Sequence, residues 1–140
     1  MTRIAFAAKR HWGYPERWIE AWRNILTITP AYIARNEVYA GTVNDEAIAF
    51  YALTSKGGVM DLGHLWVQPE YMGFGIGRAL FEHALCRTAS RGAGVLEIES
   101  DPSAEGFYLR MGARRIGETI SDVCGQRRVL PLLVADVLTE

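Results

Sequence analysis

The stretch VQPEYMGFGIGRAL, residues 67–80, sets Gly73, Gly75 and Gly77 between the end of an apolar run and the start of a helix-like pattern. Glycine opens conformations closed to other residues and lets backbone N–H groups approach a ligand that side chains would hold off. Successive N–H groups in such a turn, opening a helix N-terminus, make a seat for a pyrophosphate or a similar anion. Arg78 in the first turn adds a cation. The plainer alternative is a helix start made flexible by glycine that binds nothing.

What flanks the loop limits the fold. Ahead of it, EVYAGTV (37–43) and EAIAFYAL (46–53) are strand-like runs separated by Asn44-Asp45, which predicts an antiparallel hairpin. SKGG (55–58) turns the chain into a third strand, VMDLGHLWV (59–67). Behind the loop, residues 77–92 read as a helix with Ala79, Leu80, Ala84 and Leu85 on its apolar face and Gly92 as its C-cap. GVLEIES (94–100) is the next strand, and PSAEGFYLRMG (102–112) is a short helix stopping at Gly112. ARRIGETI (113–120) and QRRVLPLLVAD (126–136) read as a closing strand pair turning around CGQ.

The first quarter reads as two helices, TRIAFAAKRH (2–11) and PERWIEAWRNIL (15–26), with Pro15 suited to a first turn and Pro30 marking a break. Trp18, Trp22 and Leu26 share a face of the second, with Ile19 and Ile25 beside it. The link HWGY (11–14) presents Trp12 and Tyr14 to whatever lies between the helices. No repeat, linker or low-complexity tract divides the chain, so residues 1–140 form a single α/β domain with a mixed sheet.

Two familiar phosphate-binding folds are excluded. The spacing is G-x-G-x-G rather than G-x-G-x-x-G, and QPEYM separates the strand end from the first glycine. A dinucleotide turn runs straight from its strand, and it belongs to a doubly wound sheet longer than this chain supports. A triphosphate loop needs Gly-Lys-Ser/Thr, whereas Gly77 is followed by Arg78-Ala79. The net charge of −1 gives no electrostatic reason to expect nucleic acid. No apolar run reaches the ~20 residues of a membrane span, and the N-terminus lacks a signal peptide's apolar core. Cys86 and Cys124 show no ligand spacing, so no metal is expected. A cytoplasmic location is the default expectation.

LWVQPEYMGFGIGRALFEHAL and IESDPSAEGFYLRMGARRIGE together resemble the GNAT superfamily of N-acetyltransferases. The first is similar to that family's acetyl-coenzyme A signature, the second to its short helix carrying Phe-Tyr-x-x-x-Gly. The two segments cover residues 62–118. The resemblance implies a central mixed sheet of about six strands flanked by about four helices. It implies acetyl transfer from acetyl-coenzyme A to a primary amine of a small molecule or peptide. A non-catalytic acyl-coenzyme A binder or sensor using the same cleft is the alternative. Three departures stand out: Met72 replaces the polar residue opening the loop, Ser103 stands where the family often has Asn, and the family's usual first strand is missing. The last leaves one sheet edge less covered, which could favour a homodimer.

The same resemblance implies roles. Coenzyme contacts fall on Leu65, Trp66, Val67, Met72, Gly73, Phe74, Gly75, Ile76, Gly77, Arg78, Ser103, Phe107 and Tyr108. An N–H near Val67 would stabilise the oxyanion, and Tyr108, protonated at neutral pH, would give its proton to the departing sulfur. Asp61 and His64 are both candidates for the general base, with an ordered water as a third route. Trp12, Tyr14 and Glu99 are expected around the acceptor amine, whereas Trp18 and Trp22 read as core.

Overall fold

The computed structural model describes residues 1–137. Six α-helices form in the order α1 (Thr2–His11), α2 (Glu16–Ala21), α3 (Arg23–Leu26), α4 (Pro30–Arg35), α5 (Ile76–Ser90) and α6 (Glu105–Arg110). The strands are β1 (Glu37–Val43), β2 (Glu46–Lys56), β3 (Val59–Val67), β4 (Val95–Glu99), β5 (Arg114–Val123) and β6 (Gln126–Asp136). They build one sheet in the order β1-β2-β3-β4-β6-β5. Every pairing is antiparallel except β3 with β4, which are joined at the single register pair Asp61–Glu97. From that point towards Val67 and Glu99 no further register pair joins the two strands. No helix among the described residues is long and apolar enough to cross a membrane.

The turns follow their residues. Asn44 and Asp45 take φ of 52° and 65°, the left-handed pair that a tight hairpin needs. Gly92, at φ 82°, follows the end of α5 as expected of a C-terminal glycine. The N-terminal helices differ from the sequence reading. The second expected helix breaks at Trp22, which leaves helical geometry at φ −88° and ψ 3°. The break turns Leu26 into the core and leaves Ile25 65% exposed. Pro30 opens α4 instead of ending structure, because the Thr29 hydroxyl caps the new helix by accepting from Tyr32 N–H at 3.0 Å.

Two apolar layers cover the two sheet faces. On one face Phe81, Ala84 and Tyr108 from α5 and α6 pack on Tyr51, Leu53, Leu62, Leu96 and Leu133. On the other, Ile4, Phe6, Ile19, Trp22 and Leu26 pack against Phe50. The buried face of α5 centres on Phe81, Ala84 and Thr88, with Leu80 and Leu85 on its flank and Ala79 exposed. Ala79 therefore lies outside the apolar face expected of it, because the long Phe81 ring sets the helix rotation.

Gly63 carries the one irregularity that matters for function. Ala52 pairs with His64 and Leu53 with Leu62, so Gly63 bulges out of the ladder between them. A bulge of one residue shifts the side-chain alternation by one. Leu62 and Leu65 consequently both pack towards α5, while His64 and Trp66 both turn to the opposite face. Tyr32 from α4 closes over the bulge: a Cβ on Gly63 would lie 2.8 Å from the Tyr32 hydroxyl.

Candidate active site

Gly75 is the N-cap of α5 at φ 80°, with no side chain capping the helix. Gly73 is left-handed too, at φ 86°. The first-turn N–H groups of a 15-residue helix therefore point out of its end with their dipole uncompensated. A Cβ on Gly77 would stand 3.4 Å from two Phe107 ring carbons and 3.7 Å from Val67 Cγ2. Gly77 thus lets α5 close on α6 and on the end of β3.

A cavity of about 400 Å³ starts at this helix end. Met72, Gly73, Gly75, Gly77 and Arg78 form one wall. Leu65, Trp66 and Val67 of β3 form a second, and Ser103, Phe107 and Tyr108 a third. Phe74 and Ile76, expected to contact the coenzyme, lie outside that lining, and Phe74 is 76% exposed. A smaller cavity of about 70 Å³ lies along β3 and β4 beyond their register pair, and it shares Trp12, Leu65, Trp66, Ala104 and Tyr108 with the first. Its remaining walls include His64, Glu99, Ser100 and Asp101.

Tyr108 is one of the five residues that line both spaces. Its side chain is 6% exposed, packed edge-on against Phe107 and tilted on Phe81. Its hydroxyl makes no hydrogen bond among the described residues. Burial raises its pKa well above the ordinary tyrosine value, and the nearby Asp101 charge adds to the effect. The phenol is therefore held protonated.

The two base candidates, Asp61 and His64, and the acceptor-side Glu99 separate in space. Asp61 accepts from Thr54 Oγ1 at 3.3 Å and borders neither cavity. His64 borders the smaller cavity, but its Nδ1 accepts from Trp66 Nε1–H at 2.8 Å. Burial pushes its pKa down to about 4. Glu99 is exposed at the end of β4, borders the same cavity and accepts from Thr119 Oγ1 at 3.0 Å.

Trp12 and Tyr14 also part company. Trp12 lines both cavities, with its ring 5.7 Å from that of Trp66. Tyr14 lines neither. Its hydroxyl donates to Asp101 Oδ1 at 2.8 Å and accepts from Arg128 Nη2 at 2.9 Å. Asp101 also accepts from Lys9 Nζ at 2.6 Å and from Ser103 N–H at 2.8 Å. Lys9 lies 4.1 Å over the Trp22 ring. This cluster of Lys9, Asp101 and Arg128 was not singled out from sequence. Two partial signals existed: Lys9 follows Ala5 by one helical turn on a buried face, and Asp101 precedes Pro102 as a helix cap would. Tyr32 was missed as well, since the bulge that brings it over His64 has no short-range mark beyond Gly63 itself. Among the described residues no cluster of His, Cys, Asp or Glu could hold a metal ion.

The acetyltransferase (GNAT) domain model matches residues 18–123. Peptidyl-lysine N-acetyltransferase YjaB of Salmonella typhimurium is 38% identical over 87 residues, 62% of this chain and 56% of that protein. YjaB of Escherichia coli is 32% identical over 104 residues, 74% of this chain and 63% of that protein. The chain thus matches less than two thirds of the length of either relative. A GCN5-related N-acetyltransferase from Rhodopseudomonas palustris superposes with a TM-score of 0.78 at 20% identity, over 96% of this chain and 86% of that one. PaiA N-acetyltransferase from Thermoplasma acidophilum, solved in complex with coenzyme A, gives 0.74 at 18% identity, over 96% and 89%. Both likenesses, at these identities, show a shared fold. With the family model covering most of the chain, this protein belongs to the GNAT acetyltransferase family.

Proposed function

We propose that the protein transfers an acetyl group from acetyl-coenzyme A to a primary amine, with a peptide lysine as the leading acceptor class. The observation that carries this reading is one cavity joining the uncapped N-terminus of α5 to the side chain of Tyr108, whose hydroxyl has no hydrogen-bond partner among the described residues. The acceptor class is suggested by the peptidyl-lysine N-acetyltransferases that the chain resembles.

The residues fit the coenzyme. Nothing lies within 4 Å of a Cβ placed on Gly73 or Gly75, and the backbone there supplies donors without side-chain obstruction. When bound, acetyl-coenzyme A supplies a thioester whose acyl carbon accepts the amine. The N–H groups from Gly73 to Arg78 hold the pyrophosphate. Edge groups of Leu65 to Val67, beyond the register point with β4, face the pantetheine arm, and an N–H near Val67 donates to the thioester oxygen. Tyr108 keeps its proton for the departing sulfur. Neither base candidate suits the role, and Glu99, expected beside the acceptor amine, is instead the group that takes the amine's proton through a water. Asp61 is turned to Thr54, and the one lone pair of neutral His64 is engaged by Trp66.

Thermal unfolding tests the assignment. A ligand at a hundredfold excess over Kd stabilises the native state by about 2.7 kcal/mol. For a domain of this length that is a rise in Tm on the order of 5 °C. Acetyl-coenzyme A should give it and NADH at equal concentration should not; the opposite ranking would reject the reading.

A further inference from the structure

His64 is nine-tenths buried, and its two ring nitrogens are not equivalent. An indole N–H can only donate, so the 2.8 Å contact from Trp66 Nε1 makes Nδ1 the bare nitrogen. Nε2 then carries the hydrogen of the neutral ring. His64 and Trp66, two residues apart in unbroken register beyond the Gly63 bulge, share a face of the sheet by strand alternation; the bulge sets that face opposite to Leu62. Around the ring stand Tyr32, edge-on at 5.6 Å, and Phe50 at 6.0 Å. Across the small cavity stand Tyr108, Glu99 and Asp101. None of these accepts from Nε2 among the described residues, and the atom is not sealed off, so this N–H is open to the cavity that His64 lines. At about 70 Å³ the cavity has room for about two waters, each occupying ~30 Å³ in the liquid.

We infer that His64 is a positioning residue: its Nε2–H, fixed by Trp66, holds the water through which Glu99 takes the proton of the attacking amine. This rests on the acetyltransferase reading. The water accepts from His64 with one lone pair, turns the other to the amine N–H and donates to the Glu99 carboxylate. As the N–C bond forms and the C–S bond breaks, the amine proton passes to the water and a water proton passes to Glu99. Sulfur takes its proton from Tyr108, and His64 ends as it began. A base role would demand the other tautomer, with Nδ1–H set against the Trp66 N–H, two donors facing each other in a buried site.

The His64→Gln and His64→Phe variants distinguish the roles. A Gln amide keeps an N–H near the place of Nε2 but cannot act as a base near neutral pH; Phe keeps the ring and offers no donor. With a lysine peptide as acceptor, kcat should fall tenfold or more in His64→Phe. It should stay within about threefold of wild type in His64→Gln, with acetyl-coenzyme A affinity by calorimetry unchanged in both. Equal loss in the two variants would make His64 the base, and wild-type turnover in His64→Phe would remove it from the reaction. A second readout needs neither coenzyme nor acceptor. In protein carrying ¹⁵N-labelled histidine, the His64 ring should remain the Nε2–H tautomer from pH 5 to pH 8, and Trp66→Phe should disturb it. A His64 titration near the ordinary value of ~6.5 would overturn the inference even if the coenzyme assignment stood. Loss of coenzyme binding in the wild type would instead strike the underlying reading and leave the tautomer result to decide this one.

Discussion

Lys9 Nζ meets Asp101 Oδ2 at 2.6 Å with both side chains buried, at 10% and 7% exposure. One contact thereby ties the first helix to the segment that leads into α6 and carries Tyr108 towards the cavity. Burial alone would raise the Asp101 pKa; the Lys9 ammonium and the Ser103 and Tyr14 donors outweigh it and hold it below the usual carboxylate value. Lys9, with a single carboxylate partner, is left with a lowered pKa because burial costs its charge more than the pair returns. Asp101, facing a second cation in Arg128 at 3.4 Å, is the better satisfied member.

Removing the carboxylate should therefore be the costlier change. Asp101→Asn leaves two buried cations without a counter-charge and should cost about 3–5 kcal/mol in urea unfolding. Lys9→Met leaves Asp101 with Arg128, Tyr14 and Ser103, and should cost less. The pH dependence follows from the depressed carboxylate. Its contribution is fully present above the unfolded value of 3.8 and is lost as pH falls through the lower folded value. Wild type should thus lose more stability than Asp101→Asn between pH 5 and the acid limit. Parallel curves for the two proteins would show that the pair contributes little.

Tyr108→Phe should separate chemistry from binding. The hydroxyl has no protein partner among the described residues, so its removal leaves no orphaned group, and Tm should move little. General acid catalysis is typically worth ~10²-fold or more, and kcat should fall by that order. Coenzyme Kd should be nearly unchanged, because the lost interaction matters as charge builds on sulfur. Turnover at the wild-type rate would return Tyr108 to the core and leave solvent as the proton donor.

Gly63→Ala should expose how tightly α4 is seated on the sheet. The added methyl would stand 2.8 Å from the Tyr32 hydroxyl and 3.1 Å from Thr54 Cγ2. Overpacking of this kind costs about 1–3 kcal/mol. Tyr32→Phe in the same chain removes one of the two clashing atoms, so the double variant should recover part of the loss. A strictly additive pair would mean that Tyr32 does not rest on the bulge.

Features written in adjacent residues were the legible ones. The Asn44-Asp45 turn, the glycines of the loop and the stop at Gly92 each depend on backbone geometry that one or two residues dictate. The uncapped helix end that we assign to the coenzyme is of this kind, since a glycine turn and a helix start suffice to form it. What sequence could not show was which distant groups meet. Tyr14 reads as a free aromatic on a glycine link, yet Asp101 and Arg128, 87 and 114 residues away, hold it out of the cavity. His64 reads as a base by its ordinary pKa; the side-chain rotamers that set the Trp66 N–H on its lone pair are not written in the i, i+2 spacing. The break at Trp22 was equally hidden, because a continuous helical pattern does not reveal where tertiary packing turns the chain.

The central claim is that this cleft moves an acetyl group from thioester to amine. Its most direct test is to incubate the protein with acetyl-coenzyme A and a lysine peptide, measuring free thiol and acetylated peptide together. The account predicts one acetylated lysine for each thiol released, abolished without peptide and reduced about 10²-fold by Tyr108→Phe. Tight coenzyme binding with no thiol release across peptides and small amines would contradict it, and would make the protein an acyl-coenzyme A binder.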